Sequence, residues 1–493
     1  MIRKLAGQTA IYGLGTIIPR FVNYLLTPYL TYSLALNEYN FGVMGYFYAT
    51  IPFAVAILTM GMETGYFRFC GKATSLEEKN KLFSTILSTL IVSSLTLFIV
   101  ICFIQNDIYE TIGQVYAPQI ISIVAALIVT DVVSSISFAK LREEGRAKLF
   151  TIIRGSSVLI NVAFVVFFYS LLPLIKDIPI FSFMWIENFG AGYVFVANLI
   201  ASIITMFMLH STYKGAHLYI NPKILKSVLF FSFPLFISGF NGIANDFIDR
   251  QLLAVLAPHD IALEQIGIYS ATLKIAAIMT IFTQMYRYAA EPMFLSKLKK
   301  DDFNRDNAEA MKYFIIVSLA IFLGITLFSD IFILLVSPAF RAGANLIPVI
   351  LFAGLLSGVL VNLSFWYKFN DKTFYAIIIT SVGLIITVIL NVLLIPHFGY
   401  NGSAWGRLIS MTAMVLLSYF LNQKYFPIPY DVKRIGEYLG LTAILFGLSY
   451  ITDLEPTIFK YFTNSILMLI FVAYAIKREK MLFLFKRNGS KSN

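Results

Sequence analysis

Between Lys226 and Pro292, two apolar segments long enough to cross a bilayer carry Asn241, Asn245, Asp246, Asp249, Arg250, Lys274, Arg287 and Glu291. An ionised side chain at mid-membrane costs about 2.5–3.5 kcal/mol on insertion scales, so such groups face a protein interior or a watery cavity. Asn241, Asn245 and Asp249 recur every four residues and therefore share one helix face. Asp246 and Arg250 are also four apart, the spacing of an ion pair along a helix. Such a pair can simply lock helices together. The alternative is a hydrated central cavity that binds a charged ligand. On this spacing Asp249 is expected to be the more cavity-exposed carboxylate, and Asp246 the one neutralised by Arg250.

A second polar stripe runs along the first apolar segment. Thr9, Gly13, Thr16, Arg20, Asn23 and Thr27 are three or four residues apart, and Arg20 falls midway through the segment. Small and hydroxyl residues alone would suit helix packing. A mid-span arginine among them points to a cavity lining. Glu63 and Asp131 are further acids within apolar segments, fitting either counter-ions for Arg20 or titrating groups for ion coupling. Arg68 and Arg154 lie near the cytoplasmic ends of their segments, where long side chains reach the interface. Counted together, the deep cations Arg20, Arg250, Lys274, Arg287 and Arg407 outnumber the acids Glu63, Asp131, Asp246 and Asp249. A basic interior suits phosphate or pyrophosphate, which arginine grips through two parallel hydrogen bonds. An acidic one would suit a cationic drug.

These groups need elements to hold them, and composition says which. The 493 residues are 58% hydrophobic and 13% charged, whereas soluble domains carry about 25% charged residues. Apolar runs near 20 residues, without strict alternation, are membrane helices rather than barrel strands. About fourteen spans are expected, at 8–33, 40–67, 83–104, 116–139, 149–173, 188–209, 225–255, 264–290, 312–336, 345–367, 373–395, 402–422, 435–452 and 458–476. The break at Pro396–Gly402 (PHFGYNG) reads as a turn, and the connection between the fifth and sixth spans is the least regular. The MIRKLAG start is not a cleavable signal, because the apolar run behind it is too long and holds Arg20. The net charge of +11 is not a nucleic-acid footprint. One set of loops and both termini hold 29 lysines and arginines, whereas the opposite loops hold only Lys176, Arg341 and Lys460. Positive loops stay in the cytoplasm, so both termini are expected there.

Other chemistries find little footing. Cys70 and Cys102 make no disulfide framework. The four histidines, His210, His217, His259 and His397, sit in or beside loops without ligand-like spacing, so neither a metal nor a cofactor is expected. No phosphate-binding glycine loop or nucleophile elbow is present, so the chain does not read as an enzyme. A weak internal repeat relates the stretch from Asn161 to that from Asn391, each running from Asn through an apolar helix and a Gly-rich turn to a helix ending in Ser. Two related six-helix halves, 1–215 and 216–425, followed by a helix pair and basic tail, 426–493, would account for the spans. Parallel repeats of this sort suit a rocking transporter with its site between the halves.

Three stretches, in order, resemble the polysaccharide or oligosaccharide-lipid flippases of the multidrug/oligosaccharidyl-lipid/polysaccharide exporter superfamily. They are Leu34–Phe69, with Gly42 and a closing Arg-Phe; DFIDRQLLAVLAP followed by IGIYSATLKIA; and LNVLLIPHFGYNGSAWGRLIS, where Ser403 separates the last Gly from Ala404. The resemblance covers essentially the whole chain. It implies an all-α membrane protein of two lobes around a central cavity in the bacterial inner membrane. The implied activity is movement of an undecaprenyl-pyrophosphate-linked oligosaccharide to the outer leaflet for surface polysaccharide, such as lipopolysaccharide. Implied partners are that lipid-linked glycan, membrane lipids, H+ or Na+, and a polysaccharide polymerase with glycosyltransferases. The family supplies no residue set that maps here, so candidate contacts rest on charge. They are Arg20, Asn23, Asn241, Asn245, Arg250, Lys274 and Arg287 for the substrate, and Asp249, Asp246, Glu63 and Asp131 for an ion. The alternatives are a cation-coupled drug antiporter of the same superfamily and a membrane enzyme of glycan assembly.

Overall fold

A computed structural model describes residues 21–22, 24–32, 36–112, 119–295, 300–370, 372–451 and 457–479. Every regular element among them is helical. The principal helices are α1 (Glu38–Thr59), α2 (Met62–Cys70), α3 (Leu76–Ile112), α4 (Gln119–Glu143), α5 (Ala147–Val166), α6 (Gly192–Met208), α7 (Pro222–Leu256) and α8 (Ala262–Ile275). They continue as α9 (Ala277–Leu295), α10 (Lys300–Leu327), α11 (Ile347–Phe369), α12 (Phe374–Phe398), α13 (Tyr400–Tyr425), α14 (Val432–Ile451) and α15 (Thr457–Arg478).

Ten helices among the described residues are long and apolar enough to span a membrane, and two bent pairs, α7 and α8 with α9, raise the number to as many as twelve. The expected first span, with Arg20 and Asn23, lies largely outside the described residues. The expected thirteenth corresponds to α14, whose first two turns carry Lys433, Arg434 and Glu437; it is not among the ten. Apolar stripes left uncovered by protein show what the helices are built to meet. On α3, Val92, Leu95, Ile99 and Phe103 recur at helical spacing and are 43–84% exposed. On α12 the same is true of Ile385, Ile389 and Val392. Soluble monomers do not leave such stripes open to water. The chain is a multi-pass integral membrane protein.

Two compact units form, interleaved in sequence: residues 1–271, 336–342 and 373–410, and residues 272–335, 343–372 and 411–493. The expected lobes, by contrast, are contiguous. In the first unit α7 runs along α12 and α1, α3 along α4, and α6 along α4 and α5. In the second, α11 packs on α9 and α10, and α10 also on α14 and α15. The turn expected across Pro396–Gly402 is tighter than that: α12 continues through Pro396 to Phe398, and Gly399 alone breaks it at φ +54°. A Cβ there would strike the Gln265 carboxamide, whose oxygen accepts from the Tyr400 amide at 3.1 Å. The irregular stretch after α5 forms a π-turn at Phe167–Leu171 and two one-turn helices, Leu172–Ile175 and Pro179–Ser182.

Where α1 crosses α8, two glycines let the backbones touch. A Cβ on Gly42 would fall on the Leu263 carbonyl oxygen, and one on Gly267 on that of Glu38. Small residues at membrane helix crossings serve this purpose. Gly267→Val should cost at least about 1–3 kcal/mol through overpacking, because neither backbone can yield. Size-exclusion yield of folded protein will show it, with Gly436→Ala, where an added Cβ meets open space, as the neutral control. Equal yields for both would refute the close crossing.

Loop charge sets the expected orientation. In a cysteine-free background, an impermeant thiol reagent applied to intact cells should label Asp260→Cys and miss Asp302→Cys. The reverse pattern would invert the topology.

Candidate functional site

The stripe on α7 is real, and it is packed. Asn241, Asn245 and Asp249 are 7%, 8% and 1% exposed. Asn241 donates through Nδ2 to Ser381 Oγ at 2.8 Å and to Thr380 Oγ1 at 3.3 Å, both on α12. Asp249 Oδ2 accepts from the Tyr269 hydroxyl of α8 at 2.9 Å and from Arg407 Nη1 of α13 at 3.0 Å. Arg407 uses its other terminal nitrogen on Asp246 Oδ1. One guanidinium thus clamps two carboxylates a helical turn apart. Arg250 Nε and Asn245 Oδ1, on the same helix, are buried without a hydrogen-bond partner among the described residues.

The expected pairing of Asp246 with Arg250 is therefore corrected: Asp246 pairs with Arg407. The expected exposures are also reversed, since the Asp246 side chain is 65% exposed and that of Asp249 is 1%. Four-residue spacing says which groups share a face of one helix, but not which neighbouring helix covers it. Here Tyr269 of α8 and Arg407 of α13 reach Asp249, α12 binds Asn241, and Asp246 stays exposed. Of the two, Asp246 is the carboxylate left open to its surroundings. Asp246→Asn should leave stability within about 0.5 kcal/mol, as substitutions at exposed sites do, while changing any dependence of transport on an ion gradient. Asp249→Asn should instead lower thermal stability. If Asp249→Asn alone altered gradient dependence at unchanged stability, these roles would be exchanged.

The other acids already have partners. Glu63 is salt-bridged to Arg142 at 2.6 Å, and Asp131 accepts from Ser202 Oγ of α6 at 2.9 Å. Arg68 and Arg154 lie over the rings of Phe231 and Phe138, 3.9 and 4.0 Å from their centroids. In the second unit Lys274 is half-buried. Arg287 and Lys368 both approach Glu291, at 3.5 and 2.8 Å, with all three side chains 29–48% exposed; such pairs contribute little to stability. Arg20 and Asn23 lie outside the described residues. Among the described residues no group of three His, Cys, Asp or Glu side chains could hold a metal.

Tyr269 and Arg407 were not among the expected site residues. A depth argument could have found Arg407. Asp249 lies seven residues before the end of α7, and Arg407 seven residues after the start of α13. At 1.5 Å per residue both sit about 10 Å from helix ends on the same side, the ends that the Gln265–Tyr400 bond ties together.

The model of a family described as "Polysaccharide biosynthesis protein" matches residues 5–298. No curated protein matches significantly. Among solved structures, the lipid II flippase MurJ in an inward closed conformation superposes with a TM-score of 0.72 at 15% identity, covering 95% of this chain and 99% of that one. An inward-facing multidrug resistance MATE family transporter of the MOP superfamily gives 0.66 at 14% identity, covering 84% and 97%. An outward-facing member of that MATE family gives 0.56 at 15%, covering 85% and 94%. At these identities the likeness establishes the fold.

Proposed function

We propose, from the premise that this chain belongs to the polysaccharide biosynthesis protein family, that it is a flippase for a lipid-linked glycan. The substrate is an undecaprenyl-pyrophosphate-linked oligosaccharide, moved across a bacterial inner membrane by alternating access for surface polysaccharide assembly. The moving parts are the lobes 1–215 and 216–425, with both termini cytoplasmic. The observation that carries the reading is family membership over 5–298 together with full-length likeness to a structure titled as a lipid II flippase. Charge supports it. The deep cations Arg20, Arg250, Lys274 and Arg287 would attract pyrophosphate, while Arg407 is held by Asp246 and Asp249. Asn23, Asn241 and Asn245 would contact polar groups while the polyprenyl tail stays in lipid.

Polysaccharide polymerase and glycosyltransferases would consume and supply the substrate. Consumption of the flipped lipid can drive net transport without a cofactor. An H+ or Na+ gradient can add to it, because one charge moved across 100 mV is worth about 2.3 kcal/mol. A second reading, a cation-coupled drug antiporter, is favoured by the likeness to MATE transporters and by the acidic side of the Arg407 cluster.

The test is reconstituted protein with a fluorescent polyprenyl-pyrophosphate sugar, with and without imposed H+ or Na+ gradients. Leaflet exchange above empty vesicles is the expected result. No exchange, with gradient-driven efflux of a cationic dye, would replace the flippase by the antiporter. Covalent change in the glycolipid would replace both by an enzyme.

A further inference from the structure

A cavity of about 430 Å³ opens in the first unit, beside the start of α1, the end of α5 and the start of α6, where these helices border loops poor in lysine and arginine. Its size falls at the small end of ligand clefts, which run about 300–1,000 Å³. Its wall is aromatic, with Phe168, Tyr169, Trp185 and Tyr193, and its rim carries Glu187 and Asn188.

The loop that forms it is held in shape. The Tyr169 hydroxyl donates to the Gly190 carbonyl at 2.6 Å, and the Tyr193 hydroxyl accepts from the Ile186 amide at 2.7 Å. Asn40 Oδ1 accepts from the Ala191 amide at 3.2 Å. Asn188 and Gly190 both take left-handed backbone, φ +55° and +49°, and the Asn40 carboxamide fills the place a Cβ on Gly190 would need. A non-glycine residue in that region costs conformational energy that the surrounding structure must hold. The result is a built cleft with its polar ends left over. Among the described residues, neither the Glu187 carboxylate nor the Asn188 carboxamide has a hydrogen-bond partner in the protein, and both residues are exposed.

We propose that this cleft binds one sugar unit, neutral or amino, of the transported glycan. A pyranose presents C–H bonds on its faces, which pack on aromatic rings, and hydroxyls at its edge, which need acceptors and donors such as a carboxylate and a carboxamide. Among the described residues lining the cleft Glu187 is the only formally charged one. Lys176 Nζ lies 4.9 Å from the Trp185 ring centroid, so the cleft offers no excess of positive charge to hold a phosphate and the head group sits elsewhere. The site deepens the flippase reading and rests on it for the source of the sugar. It places the sugar at the membrane face opposite the basic loops, where the glycan arrives.

The test uses the full chain in detergent and saturation-transfer NMR with free glucose, galactose, N-acetylglucosamine and N-acetylgalactosamine. At least one should receive saturation from the protein. The double variant Glu187→Ala, Asn188→Gly should weaken that sugar about tenfold or more, the effect of losing a charge-assisted hydrogen bond. Glycine keeps the left-handed backbone at 188, so the fold is preserved. Inorganic pyrophosphate should not displace the sugar. Silence from all four sugars, equal binding by the double variant, or displacement by pyrophosphate would overturn the proposal. Sugar binding without lipid exchange would retire the flippase reading and leave this site standing. Lipid exchange without sugar binding would do the reverse.

Discussion

Arg407→Leu is expected to destabilise the protein by about 3–5 kcal/mol, the cost of leaving a buried carboxylate without its counter-ion. Asp249 is the reason: it is 1% exposed, and Arg407 is its cationic partner, 3.0 Å away. The Tyr269 hydroxyl at 2.9 Å and the Arg250 backbone amide at 2.8 Å remain as donors, but two neutral hydrogen bonds do not replace a guanidinium. Asp246, which is 65% exposed on its side chain, can regain solvent and should add little. The observable is the temperature at which the monomer peak is lost from size-exclusion chromatography. Adding Asp249→Asn to Arg407→Leu removes the orphaned charge and keeps an acceptor for Tyr269, so most of the stability should return. Buried pairs behave this way: losing one partner is costly, and losing both charges is not. A single Arg407→Leu variant as stable as the parent would show that the cluster is not structural.

Arg20→Ala should abolish most transport while the protein still inserts and accumulates. By sequence, Arg20 falls midway along an expected span on a stripe of Thr9, Gly13, Thr16, Asn23 and Thr27, and a charge at such a position is expected to serve a function. Truncating one partner of a desolvated charge pair costs about 2–5 kcal/mol, roughly thirtyfold or more in substrate affinity. Arg20→Lys keeps the charge and loses the planar fork, so it should fall between the two. The reconstituted lipid-exchange assay reads all three proteins at matched protein density. Parental rates from Arg20→Ala would remove Arg20 from the substrate contacts.

Membrane segments are legible in a sequence because the bilayer imposes one dominant length and polarity on each of them. The helices α3, α4, α5, α6, α10, α11, α12 and α13 follow that rule and appear where the apolar runs lie. Gly42 and Gly267, read from the sequence as family pattern, prove to be the places where α1 and α8 meet backbone to backbone. The common face of Asn241, Asn245 and Asp249 was likewise readable, because 3.6 residues per turn is a property of one helix.

What covers that face was not readable. Arg407 is 158 residues from Asp249 along the chain, and no local periodicity connects them. Two arginines, Arg250 and Arg407, were available to Asp246, and spacing along α7 favoured the nearer one. The tertiary structure chose the other, because Arg407 on α13 comes within reach of both carboxylates. Hydropathy and spacing thus determined that this chain crosses a membrane many times and carries charges inside it. Which charges neutralise one another was decided only when separate helices came together, since in a low-dielectric interior a few ångströms decide whether a carboxylate is paired or stranded.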